Sequence, residues 1–132
     1  MIKAIFWFWL LILLIVSVIP MGTNENNALN TSRVVLRLDH LIHLATFVFF
    51  SWIHLLGLVV YKPVFATNST IKTALILAPA AILFEGLQKY LPYRSFNSKD
   101  LGFNLFGAIF TIGIVMFFNF ASRNKQDKVK VY

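Results

Sequence analysis

Four apolar segments, each close to the length that crosses a lipid bilayer, dominate this sequence of 132 residues. A helix needs roughly 20 mostly apolar residues to cross a hydrocarbon core of about 30 Å. Hydrophobic residues make up 58% of the chain and charged residues only 13%, which is too apolar for a soluble domain of this size. The sequence therefore predicts one integral membrane domain over residues 1–132, an all-α bundle of four transmembrane helices at about 4–21, 39–61, 71–89 and 101–121.

The first segment begins like a secretory signal peptide, because Lys3 precedes an apolar stretch. Its apolar run is longer than the usual signal-peptide core, and no small-x-small cleavage site follows before Gly22. Trp7 and Trp9 also lie where interfacial anchors belong. We therefore expect this segment to be retained as a transmembrane helix.

Basic residues give the chain a formal net charge of +7. They lie at the ends of the apolar segments and in the carboxy-terminal tail, so we interpret them as topology signals rather than as a nucleic-acid site. Of the 12 lysines and arginines, seven fall on the amino-terminal side of the membrane and five on the other side. The positive-inside rule then predicts both termini in the cytoplasm, and loops 22–38 and 90–100 outside. The chain has no cysteine, which excludes disulfides, thiolate metal sites and a cysteine nucleophile.

Polar residues recur at helical spacing beside the predicted outer ends of three segments. Asp39 and His43 are four residues apart, and Glu85 and Gln88 are three apart, so each pair shares one helix face. Because polar groups facing lipid are costly, we expect these faces to point into the bundle.

The fourth segment begins with a third polar stripe. Asp100 is predicted to be the N-cap of this helix, and Asn104 and Gly107 follow four and seven residues later on the same face. Arg94 lies in the preceding loop, where Pro92 restricts the chain, and its planar guanidinium can bridge two carboxylates.

Together these stripes predict a polar, ligand-binding pocket between the last three helices. Its expected residues are Asp39, His43, Glu85, Gln88, Arg94, Asp100 and Asn104. The alternative is that these groups merely cap helices and close the bundle, which are common roles for single polar residues in membrane helices. Three such stripes at one membrane depth favour the functional interpretation.

Two further features have both structural and functional interpretations. His54 lies eleven residues after His43, about three helical turns, on nearly the same helix face. The two histidines could relay protons, but a lone buried histidine more often donates to a neighbouring helix. Gly102, Gly107 and Gly113 are expected to allow close helix packing in the fourth segment.

The stretches LDHLIHLATF and FEGLQKYLPYRSFNSKDLGFNLFG resemble the VanZ-like family of small bacterial membrane proteins. The family pattern is Asp-Lys-x-x-His, then Glu-x-x-Gln, Pro-x-Arg and Asp-x-x-x-Asn-x-x-Gly. The resemblance covers the last three helices, and its matching positions are Asp39, His43, Glu85, Gln88, Pro92, Arg94, Asp100, Asn104 and Gly107. His40 replaces the family's usual lysine, which argues against any role that needs a permanent positive charge there.

This resemblance implies a multi-pass protein of the bacterial cytoplasmic (inner) membrane, in a family linked to teicoplanin resistance. The first functional hypothesis is therefore binding or modification of an amphipathic envelope molecule, such as a lipoglycopeptide or a lipid-linked cell-wall precursor. Arg94 and His43 would meet its anionic groups, while Asp39, Glu85 and Asp100 would orient them. Membrane lipid is the other expected partner, and an oligomer is compatible with the sequence.

Two other hypotheses belong to different classes of protein. A membrane hydrolase or transferase would use His43 as general base, with Asp39 or Glu85 orienting it or acting as acid. A metal site built from His43, Asp39, Glu85 and Asp100 is chemically possible with nitrogen and oxygen ligands, but the nearby Arg94 argues against it because it supplies the positive charge itself. We therefore expect no metal, and we expect no cofactor. A structural or partner-binding subunit would instead tolerate alanine at every polar position.

Overall fold

The computed structural model describes residues 1–18, 38–92 and 96–129, and within these ranges all helices are α-helices and no strand occurs. The helices are α1 (Ile2–Val18), α2 (Leu38–Val59), α3 (Ser69–Gln88) and α4 (Ser98–Val129). The prediction of an all-α, four-helix chain is confirmed.

Three of the four helices are long and apolar enough to cross a membrane: His40–Val59, Ser69–Gln88 and Ser98–Ser122. Helix α1 is also apolar but has 17 residues, so its axis is about 25 Å long. The predicted first span, 4–21, continues beyond Val18 into residues outside the described part. Whether this segment crosses the bilayer stays a prediction, as does the side of the membrane on which the termini lie.

Helices α1 and α2 run antiparallel and share a core of aromatic side chains. The α1 residue Ile2 lies beside Gly57 near the end of α2, and the Phe6 ring contacts the Phe50 ring at 4.9 Å. One turn further along α1, the Trp9 indole N–H donates to the Thr46 carbonyl at 3.0 Å. This register directs the carboxy-terminal end of α1 towards the start of α2.

Helices α2 and α4 run parallel and approach each other closely at Gly107. A Cβ atom at this position would lie 2.8 Å from the Phe47 Cβ and 2.9 Å from the Leu44 carbonyl oxygen. One turn later, the Thr111 hydroxyl donates to the Phe47 carbonyl at 2.9 Å. These contacts fix the rotation of α4 against α2.

The expectation that three glycines serve close packing in α4 is wrong for two of them. Among the described residues, no atom lies within 4 Å of a Cβ built at Gly102 or at Gly113. Both face away from the α2 contact because they are not on the helical face of Gly107.

Helix α3 runs antiparallel to both α2 and α4. Near its start, Thr73 contacts His54 of α2, and Thr70 accepts a hydrogen bond from Asn119 of α4. Near its end, Phe84 packs on Phe47. Met1 and the α2–α3 loop therefore lie at one end of the bundle, and the starts of α2 and α4 lie at the other.

The start of α4 differs from the predicted one. The helix begins at Ser98, and Asn97 caps it, because its side-chain oxygen accepts the Lys99 backbone N–H at 3.0 Å. The prediction that Asp100 is the N-cap is wrong. Asp100 lies within the first turn, which leaves its carboxylate to face the bundle interior instead of the backbone.

Candidate functional site

Polar side chains from three helices meet at the end of the bundle opposite Met1. We call this group the polar cluster: His40, His43, Glu85, Gln88, Asp100 and Asn104. Five of its six members are almost fully enclosed, with exposures of 0% for Glu85, 2% for Asn104, 3% for Gln88, 4% for His40 and 5% for Asp100. Burial of this kind requires that the polar atoms be paired with one another or with a ligand.

His43 is oriented by Asn104 across the α2–α4 contact. The His43 Nδ1 lies 3.1 Å from the Asn104 side-chain oxygen Oδ1. Because a carbonyl oxygen only accepts, Nδ1 carries the proton in this pair and Nε2 of the neutral ring carries a lone pair. Nε2 lies 4.0 Å from the Asp100 carboxylate, so a basic nitrogen and a carboxylate oxygen face each other.

The Glu85 carboxylate links α3 to the start of α4. Its Oε1 accepts the backbone N–H of Asn97 at 3.0 Å, and its Oε2 accepts from the Gln88 amide at 3.4 Å. Glu85 and Gln88 therefore lie on one face of α3, as their three-residue spacing predicts. Since Asn97 also caps α4, the carboxylate is held where the loop joins the helix.

His40 joins the cluster, although the sequence analysis treated it only as a departure from the family pattern. Its Nε2 lies 3.3 Å from the Asp100 Oδ1, and its ring stacks on Phe103 with centroids 5.0 Å apart. Despite the short distance, the contact lacks hydrogen-bond geometry, and within the described part neither atom has a hydrogen-bond partner. The two atoms are therefore in close contact without a hydrogen bond, and they form an ion pair only when His40 is protonated.

One signal in the sequence could have identified His40. It lies three residues before His43, which places both rings on one face of α2. Asn97 was also missed, although an asparagine at the start of a helix three residues before an acidic side chain is typical of a capped helix start.

Two predicted site residues are not covered by the structural description. The Asp39 side chain and the whole of Arg94 lie outside the described part of the chain, so their places in the pocket stay predictions. The other five predicted residues, His43, Glu85, Gln88, Asp100 and Asn104, come together in the polar cluster.

A small cavity of about 50 Å³ adjoins the polar cluster. Its lining combines polar and apolar residues: Ser17, His43, Thr46, Gln88 and Asn104, and Leu13, Val16, Ile42, Phe47 and Phe84. The cavity is much smaller than a typical ligand pocket of about 300–1,000 Å³.

A larger cleft, of about 630 Å³, opens at the opposite end of the bundle between the α2–α3 loop and α4. The described residues that line it include no histidine, aspartate or glutamate. The size of this cleft alone does not indicate a catalytic or ligand-binding function, so we place the candidate site at the polar cluster.

His54 makes a structural contact towards that other end. The Thr73 hydroxyl donates to the Ser69 carbonyl at 2.8 Å and lies 3.1 Å from the His54 Nε2. The hydroxyl proton is therefore engaged, and the His54 Nε2–H donates to Thr73. Phe6 and Phe65 surround the ring, an environment that matches the structural interpretation of this histidine.

The model of the VanZ/LLP1 family matches residues 6–119. This range includes most of all four helices and every residue of the polar cluster, and the chain therefore belongs to the VanZ/LLP1 family. Neither the curated proteins nor the solved structures searched contain a significant match.

Proposed function

We propose that this VanZ/LLP1 family member is a bacterial envelope protein whose polar cluster binds the head of an amphipathic molecule. The molecule is a lipoglycopeptide or a lipid-linked cell-wall precursor, and binding contributes to teicoplanin-type resistance. The observation that carries the proposal is the near-complete burial of Glu85, Asp100 and Asn104 beside His43 at one end of a membrane bundle. Residues that only closed the bundle would not need two buried carboxylates.

The proposal includes the orientation of the helix bundle in the membrane. Both termini lie in the cytoplasm, as the distribution of basic residues predicts, and the polar cluster then faces the outer leaflet. A lipid-linked ligand would reach the cluster from the bilayer, past the apolar residues that contribute to the lining of the small cavity. Arg94 adds a guanidinium for phosphate or carboxylate groups.

Equilibrium binding tests this proposal with the protein in lipid nanodiscs. A fluorescent teicoplanin-type lipoglycopeptide and a lipid-linked cell-wall precursor are titrated separately onto the wild type, Asn104→Ala and Thr73→Val. We expect the wild type to bind at least one of them, and Asn104→Ala to weaken that binding about 10-fold, which is the loss of about one hydrogen-bonded contact.

Thr73→Val serves as the matched control, because Thr73 is also fully buried but lies at the other end of the bundle. It should bind like the wild type. If neither ligand binds, or if all three proteins bind equally, the polar cluster is not the site of an envelope ligand.

One observation favours a second candidate, a hydrolase or transferase with His43 as general base. Asn104 fixes the neutral His43 tautomer that leaves Nε2 able to accept a proton. Asp100, 4.0 Å away, would stabilise the resulting imidazolium. Chemical change of a bound lipid-linked precursor, detected by mass spectrometry and lost in His43→Gln, would distinguish this enzyme from a binding protein.

A further inference from the structure

The polar cluster contains two carboxylates and, among its described residues, no lysine or arginine. Glu85 and Asp100 are 0% and 5% exposed, while the described lysines nearest in sequence, Lys89 and Lys99, are exposed. Two buried carboxylates need compensating charge. Arg94 and a protonated His40, whose Nε2 lies 3.3 Å from the Asp100 carboxylate, are two sources of such charge, and a bound cation is a third.

His43, Glu85 and Asp100 are arranged so that a cation could supply this charge. Each offers one ligand atom, and these atoms all lie within 4.8 Å of one another. Ligands of a tetrahedral Zn²⁺ are about 2.0–2.2 Å from the metal and hence about 3.4 Å apart. Small side-chain movements would therefore bring one nitrogen and two carboxylate oxygens into coordination.

The surroundings of these three residues match those of metal ligands. A metal-bound histidine usually donates its second ring N–H to an oxygen, and Asn104 accepts the Nδ1–H of His43 in this way. Ligating carboxylates are themselves hydrogen-bonded, as Glu85 is to the Asn97 N–H and the Gln88 amide.

A second observation concerns the Asp100 carboxylate. Asp100 Oδ1 is buried and has no hydrogen-bond partner within the described part of the chain. His40 Nε2, 3.3 Å from it, is also without one. A buried carboxylate oxygen that accepts no hydrogen bond keeps a lone pair that could coordinate a cation.

We propose that His43, Glu85 and Asp100 bind one divalent transition-metal ion of the Zn²⁺ type. Imidazole and carboxylate ligands suit Zn²⁺, whereas Mg²⁺ and Ca²⁺ prefer sites made only of oxygen. Three protein ligands leave a fourth position for an anionic group of a ligand. The expectation from the sequence alone was that no metal binds; the proposal departs from it because of the spacing of the three ligand atoms, the Asn104 contact and the Asp100 oxygen that accepts no hydrogen bond from the described residues.

Metal analysis of the purified chain tests this inference without reference to antibiotic resistance. The protein is purified in detergent through a tag without histidine, stripped with a chelator, and reloaded separately with Zn²⁺, Mn²⁺, Mg²⁺ and Ca²⁺. We expect about one tightly bound Zn²⁺ per chain, a higher melting temperature after reloading, and ligand-field absorption bands with Co²⁺.

Variants locate the metal. His43→Gln and Asp100→Asn should abolish tight binding, and Asn104→Ala should weaken it about 10- to 100-fold, as removal of an orienting partner does. His54→Gln is the matched control, since it removes a histidine of the same helix that contacts Thr73 instead, and it should bind Zn²⁺ like the wild type.

Three results would overturn the inference: no stoichiometric metal in the wild type, binding of Mg²⁺ or Ca²⁺ only, or equal Zn²⁺ loss in His43→Gln and His54→Gln. If His43→Gln fails to fold, the Co²⁺ spectrum of the wild type still tests the metal site. A spectrum without ligand-field bands would contradict coordination by a histidine and carboxylates. Metal binding without envelope-ligand binding would refute only the proposed function, and the reverse result would refute only the metal site.

Discussion

Gly107→Ala is expected to destabilise the bundle by about 1–3 kcal/mol, the usual cost of overpacking a close contact. The new Cβ would lie 2.8 Å from the Phe47 Cβ and 2.9 Å from the Leu44 carbonyl oxygen. The carbonyl belongs to the α2 backbone, so it cannot move aside like the end of a flexible side chain. Thermal unfolding of the purified protein in detergent, followed by circular dichroism, measures the effect.

Gly102→Ala provides the control for this prediction on the same helix. Among the described residues, no atom lies within 4 Å of a Cβ at this position, and alanine favours a helix over glycine by about 0.5–1 kcal/mol. The melting temperature should therefore rise slightly. Two melting temperatures that change in the same direction would contradict the close contact of α2 and α4 at Gly107.

Glu85→Leu is expected to cost about 1–3 kcal/mol for each buried donor that it leaves unpaired. The Asn97 N–H and the Gln88 amide both donate to the Glu85 carboxylate. Glu85→Gln should instead retain most of the stability, because its amide oxygen can still accept from Asn97 and the Gln88 amide can rotate to pair with the new NH₂ group. The function should nevertheless be lost, since the charge is gone.

Unfolding measurements on the two Glu85 variants, with membrane levels determined in parallel, test this separation of structure from function. A Glu85→Leu protein as stable as the wild type would show that the carboxylate is not the partner of the α3–α4 junction. A Glu85→Gln protein as unstable as Glu85→Leu would show that the charge itself stabilises the bundle.

Helical periodicity was sufficient to predict most of the polar cluster. The four-residue spacing from Asp100 to Asn104 and the three-residue spacing from Glu85 to Gln88 assign each pair to one helix face without knowledge of the fold. The cost of facing lipid then directs these faces inwards. The same reasoning identified His43, whose partner proved to be Asn104.

The features that were missed depend on how the helices are rotated against one another. Gly107 is in close contact with α2 while Gly102 and Gly113 are not, and only the α2–α4 packing distinguishes them. His40 meets Asp100 for the same reason, because that carboxylate turns inwards once Asn97 caps the helix. Sequence periodicity predicts which residues share a helix face, but it does not predict which helix packs against that face.

Susceptibility to a teicoplanin-type lipoglycopeptide tests the central claim most directly. Bacteria that express the wild type, Glu85→Gln, Arg94→Ala or Thr73→Val at matched membrane levels are compared with cells that lack the protein. The account predicts protection by the wild type and by Thr73→Val, and loss of protection in Glu85→Gln and Arg94→Ala. No protection by the wild type, or equal protection by all four proteins, would contradict the claim that the polar cluster is the working site of an envelope protein.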